Sequence, residues 1–255
     1  MRACSFLLLL ALAWQSDVAA STQPHAVDAP GKPQDDAWQT RQAARIIEGD
    51  RLLAAKQPEQ AIRDAFAPLI ADYEARYDSS DTLYYCARTP AEGLAYMVHV
   101  GATHDRSGQG KNAVLLDQLW AYGYYGKAYA LIELNRPDEA TEALEKALAL
   151  SPYNPQFLSE RGHLYQMRKD WPEMLRSNLS AEEFAGVGSP DDQRNKEHAR
   201  ALRGQGFALI ELDRLQEAES RFLESLELEP DSQNARNELL YIEQLKRKSL
   251  EKATP

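Results

Sequence analysis

The 255-residue chain has only two cysteines, Cys4 and Cys86. Beyond the first twenty residues a single thiol remains, which excludes an intramolecular disulfide, so the fold has to hold by packing alone. After those twenty residues no apolar run approaches the length that crosses a bilayer. The five histidines, His25, His99, His104, His163 and His198, include no i, i+4 pair with carboxylate support, so neither a metal nor any other cofactor is expected. There is also no excess of positive charge: the formal net charge is −10, without a long block of one sign, which argues against nucleic acid and anionic lipid as partners. What is present, 44% hydrophobic and 27% charged residues, is the composition of a folded domain with a sizeable core.

Residues 1–20 open with Arg2, continue through an apolar run from Phe6 to Trp14 and end in Val18-Ala19-Ala20. That is the pattern of a cleaved secretory signal peptide, too short to anchor in a membrane. The expected form is exported, periplasmic or secreted, with no membrane insertion after cleavage. Removing Arg2 and Asp17 together leaves the net charge unchanged. Residues 21–34 carry three of the thirteen prolines and read as a flexible linker.

A fixed internal period outranks any local propensity. Ala130 to Ala140 reads ALIELNRPDEA and Ala208 to Ala218 reads ALIELDRLQEA, identical at eight of eleven positions, and each is followed by a leucine-rich run ending at Pro152 or Pro230. The offset of 78 residues equals two periods of 34 plus an insertion of 10. With this period the chain resembles the tetratricopeptide-repeat (TPR) family. A repeat over 121–154 places Tyr124, Ala128, Leu131, Ala140, Leu144, Ala147 and Pro152 at the family's signature positions, and one over 199–232 places Leu202, Gly206, Leu209, Ala218, Phe222, Ser225 and Pro230 there. Between them, 155–188 is a divergent repeat with Leu158, Gly162 and Tyr165 in place, but Met174 and Asn178 where a small and an apolar residue belong. The insertion falls at 189–198.

The resemblance implies an all-α solenoid of antiparallel helix hairpins, in which small residues let two helices approach and large ones fill the remaining space. Stacked hairpins need a polar cap. Residues 233–255 supply a C-terminal capping helix and tail, with Ala235, Leu239, Ile242 and Leu245 on one stripe. Upstream, 35–77 reads as an N-terminal TPR-like hairpin, with Gly49, Leu52 and Ala61 in register. Residues 78–120 match no repeat and form an irregular helical insertion. Within it Thr89-Pro90-Ala91-Glu92 predicts a helix from Pro90 to about Ala102, a loop follows over 104–110, and a long helix is expected from Asn112 to Leu134. Leu83 to Cys86 fits a helical turn or an extended segment equally.

Cys86, His99, His104 and Asn112 contain the residue types of a thiol-dependent enzyme, for which the imidazole must hold the thiol as thiolate. The spacing shows no such pairing, and Cys86 lies among apolar neighbours, so a structural cysteine is the expected reading. Residues 107–112 look slightly like a phosphate-binding loop, but Asp105 replaces the first glycine and Asn112 the metal-binding hydroxyl. Asn178-Leu179-Ser180 is read as a chance sequon.

In the TPR family, helix A residues at repeat positions 2, 5, 9 and 12 line the concave groove, and spacings of 3, 4 and 3 put them on one stripe. The candidate groove residues are Tyr122, Tyr125 and Tyr129 from one repeat, Ser159, His163 and Gln166 from the next, and Arg200, Arg203 and Phe207 from the third; Ile132, Gln156 and Ile210 complete the set. Aromatics and arginines are what binding hot spots are made of. In the alternative reading the three tyrosines pack under the insertion and belong to the core, leaving only the arginine end open. The chaperone-binding subgroup of the family carries lysine and asparagine where this chain has Tyr125 and Tyr129, so chaperone-tail binding is not expected. The expected function is a non-catalytic adaptor that holds a protein or peptide, with an acidic or C-terminal carboxylate segment meeting the arginines at the start of their helix. A thiol enzyme in the Tyr84 to Asn112 stretch and a self-associating structural subunit are the alternatives.

Overall fold

The computed structural model describes residues 36–77, 81–104 and 112–253. The signal-peptide and linker expectations therefore lie outside the described residues, as does most of the phosphate-loop-like stretch. The molecule is a helical solenoid. α1 (Asp36–Ala54) pairs with a second limb in which α2 (Pro58–Ala61), a π-helical segment (Ile62–Phe66) and α3 (Ala67–Arg76) run on without a break. Three further hairpins follow: α5 (Leu119–Glu133) with α6 (Pro137–Leu150), α7 (Pro155–Met167) with α8 (Trp171–Gly188), and α9 (Arg194–Glu211) with α10 (Leu215–Leu228). α11 (Gln233–Ala253) packs on α10 and α9.

One device closes all four hairpins. Among the described residues Lys56, Asn135, Lys169 and Asp213 are the non-glycine residues with positive φ, and each follows the first helix of its pair. The next residue donates its N–H back to a carbonyl five residues earlier, as in Arg136 to Leu131 (2.9 Å) and Arg214 to Leu209 (2.9 Å), a Schellman closure that satisfies carbonyls the helix end would leave bare. Proline then starts the second helix at Pro58 and Pro137, where its missing N–H costs nothing.

Small residues set the close approaches. Ala128, Ala140, Ala147 and Ala218 are fully buried, and a Cβ on Gly206 would come within 2.6 Å of the Phe222 ring. Phe66 is held between two glycines, since a Cβ on either Gly49 or Gly126 would come within 2.4 Å of it. The divergent repeat obeys the same logic with different chemistry. Asn178 takes the place of an apolar residue and lies against Gly162 and Gly204, with its amide satisfied by the Met174 carbonyl at 2.8 Å. A polar side chain is affordable there because its hydrogen bond is made within its own helix.

Between the first and second hairpins the structure departs from the sequence expectation. Thr82–Cys86 and Asn112–Leu116 are strands, β1 and β2, paired in parallel with Thr82 opposite Asn112 and Cys86 opposite Leu116. The expected long helix from Asn112 to Leu134 is thus wrong in its first part: it begins at Leu119, whose N–H is taken by the Asp117 carboxylate at 2.8 Å. α4 (Pro90–His104) crosses between the strands and covers one face of the pair. The other face meets the core through Tyr84, which packs on Tyr77 and Trp120. A buried charge cluster fastens this β-α-β unit to the solenoid: Arg88 Nη1 lies 2.6 Å from a Glu197 carboxylate oxygen and Nη2 3.2 Å from the Gly188 carbonyl, while Glu92 accepts the Arg88 N–H at 2.6 Å and the Tyr96 hydroxyl at 2.7 Å. Glu197 belongs to the ten-residue insertion 189–198, which extends α9 at its start and leaves 189–193 between α8 and α9. The two departures from the repeat pattern therefore bind each other.

Candidate functional site

The solenoid has two apolar cores. The larger runs from α1 to Ala201 in α9, and the smaller joins Leu209, Ala218 and Phe222 to Ala235 and Ile242 of α11. At their junction lies a cavity of about 370 Å³, in the size range of sites that take a large side chain or a short peptide segment. Its walls include Ser159, His163 and Gln166 of α7 and Arg200, Arg203 and Phe207 of α9, six of the nine groove residues proposed from the repeat register. Met174, Asn178, Gly204 and Phe222 form the deeper surface, and Asn234, Asn237 and Glu238 of α11 complete the rim.

The three tyrosines are not part of this opening. Tyr125 is 4% exposed and stacks on Phe157 with ring centroids 4.9 Å apart. Tyr122 donates to Gln156 Oε1 at 2.9 Å, and Gln156 Nε2 donates to the Tyr125 hydroxyl at 3.2 Å. Tyr129 is half-buried beside the core. Burial pushes the phenols of Tyr122 and Tyr129 up to about 12. The tyrosine end is core, the alternative reading of the sequence.

Both arginines are partnered inside the chain. Arg200 Nη2 lies 2.6 Å from a Glu160 carboxylate oxygen, and the Glu160 side chain is 2% exposed. Burial alone would raise the Glu160 pKa, but Arg200 and His163 outweigh it and hold this carboxyl below its ordinary value. Arg203 Nη1 meets Glu229 at 2.5 Å, with both side chains still partly open to solvent. The expectation that both arginines begin their helix is also corrected. α9 starts at Arg194, so Arg200 lies nearly two turns inside, beyond the reach of the helix terminus. The insertion supplies that extra length. In the deeper wall, Ser159 is 5% exposed and its hydroxyl has no hydrogen-bond partner. Sequence reasoning missed Asn234, Asn237 and Glu238; their i, i+3, i+4 spacing on the capping helix was the available signal.

The thiol site is not assembled. Cys86 is fully buried, and burial pushes its thiol well above the ordinary value, so the reactive thiolate is disfavoured. His99 Nδ1 shares a hydrogen bond with the Tyr153 hydroxyl at 2.7 Å, and Asn112 opens β2. The side chain of His104 lies outside the described residues. Among the described residues no cluster of three metal-ligating side chains occurs, and no helix is long and apolar enough to cross a membrane.

This architecture is that of helical-hairpin repeat proteins. The chain carries a tetratricopeptide repeat: residues 121–154 match the model of that repeat, and helical hairpins of the same form continue on both sides. A PilF structure from Pseudomonas aeruginosa superimposes with a TM-score of 0.56 over 84% of this chain and 72% of that one, at 17% identity. RNA polymerase II-associated protein 3 of Rattus norvegicus is 27% identical over 148 residues, 56% of this chain and 21% of that relative, so the likeness spans about a fifth of its length. The first TPR of Spaghetti (RPAP3), solved bound to the HSP90 peptide SRMEEVD, is 26% identical, with a TM-score of 0.45 over 52% of this chain and 97% of that one.

Proposed function

We propose that the protein is an exported adaptor that holds an extended segment of a partner protein in the cavity between α7, α9 and α11. The observation that carries this reading is the convergence of six register-derived groove residues on one cavity, with an apolar floor and a rim rich in amide and charged groups. Phe207, Met174 and Phe222 offer a seat for one large apolar side chain. Asn234, Asn237 and Gln166 offer donors and acceptors to the partner's backbone. Export rests on the sequence of residues 1–20.

An acidic group on the partner has one handle in this reading, Arg203. Its present partner Glu229 is partly exposed, and a ligand carboxylate can replace it without leaving a charge buried and unpaired. Arg200 cannot serve, because pulling it away would strand the buried Glu160 carboxylate. The test is capture of partner by the exported form carrying Arg203→Glu and Phe207→Ala together. Binding should weaken by about 2 to 5 kcal/mol, the range for losing a charge contact that the bound partner buries, with the helical circular dichroism signal unchanged. Undiminished capture by that folded variant would contradict the cavity as the binding site.

A further inference from the structure

Among the described residues, nothing pairs with the outer edge of β2. Among the described residues β1 lies against α5 and α6, whereas the main chain of β2 runs beside β1 and α4 and no other element comes as near. The Leu116 carbonyl accepts the Ala87 N–H on the β1 side at 3.1 Å. By the alternation of a parallel ladder, Ala113 and Leu115 then direct their N–H and C=O groups outward. Edges of this kind are normally blunted by lysine, proline or an inward charge. Asn112-Ala113-Val114-Leu115-Leu116 has none of these.

α4 overhangs the same edge. Glu92 reaches Arg88 just beyond β1, Tyr96 stacks on Tyr85 of β1, and Gly93 lies over Leu115 of β2. The next residue round the helix, Leu94, and Val98 one turn on therefore stand past β2, above the place a third strand would occupy; they are 66% and 64% exposed. A surface helix ordinarily carries charge on its outer face. In α4 the sole acidic residue is the buried Glu92, and there is no lysine or arginine.

We infer that this edge pairs with the same edge of a second copy of the chain. Antiparallel pairing about a two-fold axis at Val114 sets Ala113 of each copy opposite Leu115 of the other, so every outward backbone group finds a partner. The axis keeps both α4 helices on one face of the resulting four-stranded sheet. Since α4 sits astride β1 and β2, with Tyr96 on Tyr85 and Gly93 over Leu115, strands about 4.8 Å apart put the two α4 axes about 10 Å apart, a normal helix packing distance. Leu94 and Val98 of each copy then fill the space between the helices. A lone strand from another protein would satisfy the edge but leave the outer side of Leu94 and Val98 in water. The contact is isologous and closes at two copies. α4 is 15 residues, about 22 Å, long, and a strip of that length is at the small end of specific interfaces, about 1,200 Å². The dimer should therefore exchange with monomer as concentration changes.

The test is sedimentation velocity on residues 21–255 over about 1 to 200 μM, for wild type, Leu94→Glu with Val98→Glu, and Ala113→Pro. The helix substitutions lie on exposed positions, and Ala113→Pro removes an outward N–H without touching the β1 ladder. Wild type should shift from monomer to dimer across the series, while both variants stay monomeric with unchanged circular dichroism. A wild type monomeric at every concentration would overturn the inference, including one that instead binds phosphatidylcholine vesicles through α4. So would a dimer that survives in either folded variant.

Discussion

At the scale of single residues, two carboxyl groups make opposite demands on pH. Glu160, held low by Arg200, favours folding when ionised, and that contribution is lost as pH falls below the ordinary 4.5 toward its depressed value. Glu160→Gln should therefore lose most relative stability at neutral pH and approach wild type in acid, as denaturant titrations at several pH values would show. Asp50 is the reverse case. Burial without a charged partner raises it from 3.8 to about 7, and its Oδ1 has no hydrogen-bond partner. A raised pKa means that the protein binds the proton more tightly when folded, so stability is full below 3.8 and declines as pH rises to about 7. Asp50→Asn should match wild type near pH 4 and exceed it above pH 7 by an amount on the order of 3 kcal/mol. A melting-temperature gap that does not widen between those pH values would contradict this. None of this was legible in the sequence, because the partner of Arg200 lies 40 residues earlier and the isolation of Asp50 is a property of its surroundings.

At the scale of the helical hairpin, the small residues that betrayed the repeats also bear the packing. Gly206→Leu would drive a side chain into the Phe222 ring, and Gly204→Leu would meet Asn178 at 2.2 Å from the first added carbon. Overpacking of this kind costs about 1 to 3 kcal/mol, so both variants should show lower urea midpoints with an unchanged slope. The repeats could be read because each position in the 34-residue pattern answers a local steric need. The strands could not. Asn112 to Leu116 contains alanine and leucine, which suit a helix as well as a strand, and it lies three residues before a helix of similar composition. Its strand conformation is decided by pairing with Thr82 to Cys86, a contact about 30 residues distant that no local pattern announces. Likewise, the ten-residue insertion was visible as a gap in the period, but its role in placing Glu197 against Arg88 was not.

At the scale of the whole molecule, the solenoid is closed at one end and open at the other. The tyrosine face of α5 is filled by Phe157, Gln156 and Glu160, and the space left by the change of core between α7 and α11 becomes the cavity. The repeat register was therefore enough to name six residues that line the cavity, while the division between filled and open halves depended on bulk contributed by a neighbouring repeat and by the capping helix. Site-specific photo-crosslinking examines that division directly. A photoreactive residue at Asn237 on the cavity rim should trap the partner protein from envelope or culture-fluid extract, and the same group at Glu145 on the outer helix α6 should not. Partner trapped from Glu145 and not from Asn237 would show that the chain holds its partner on another face.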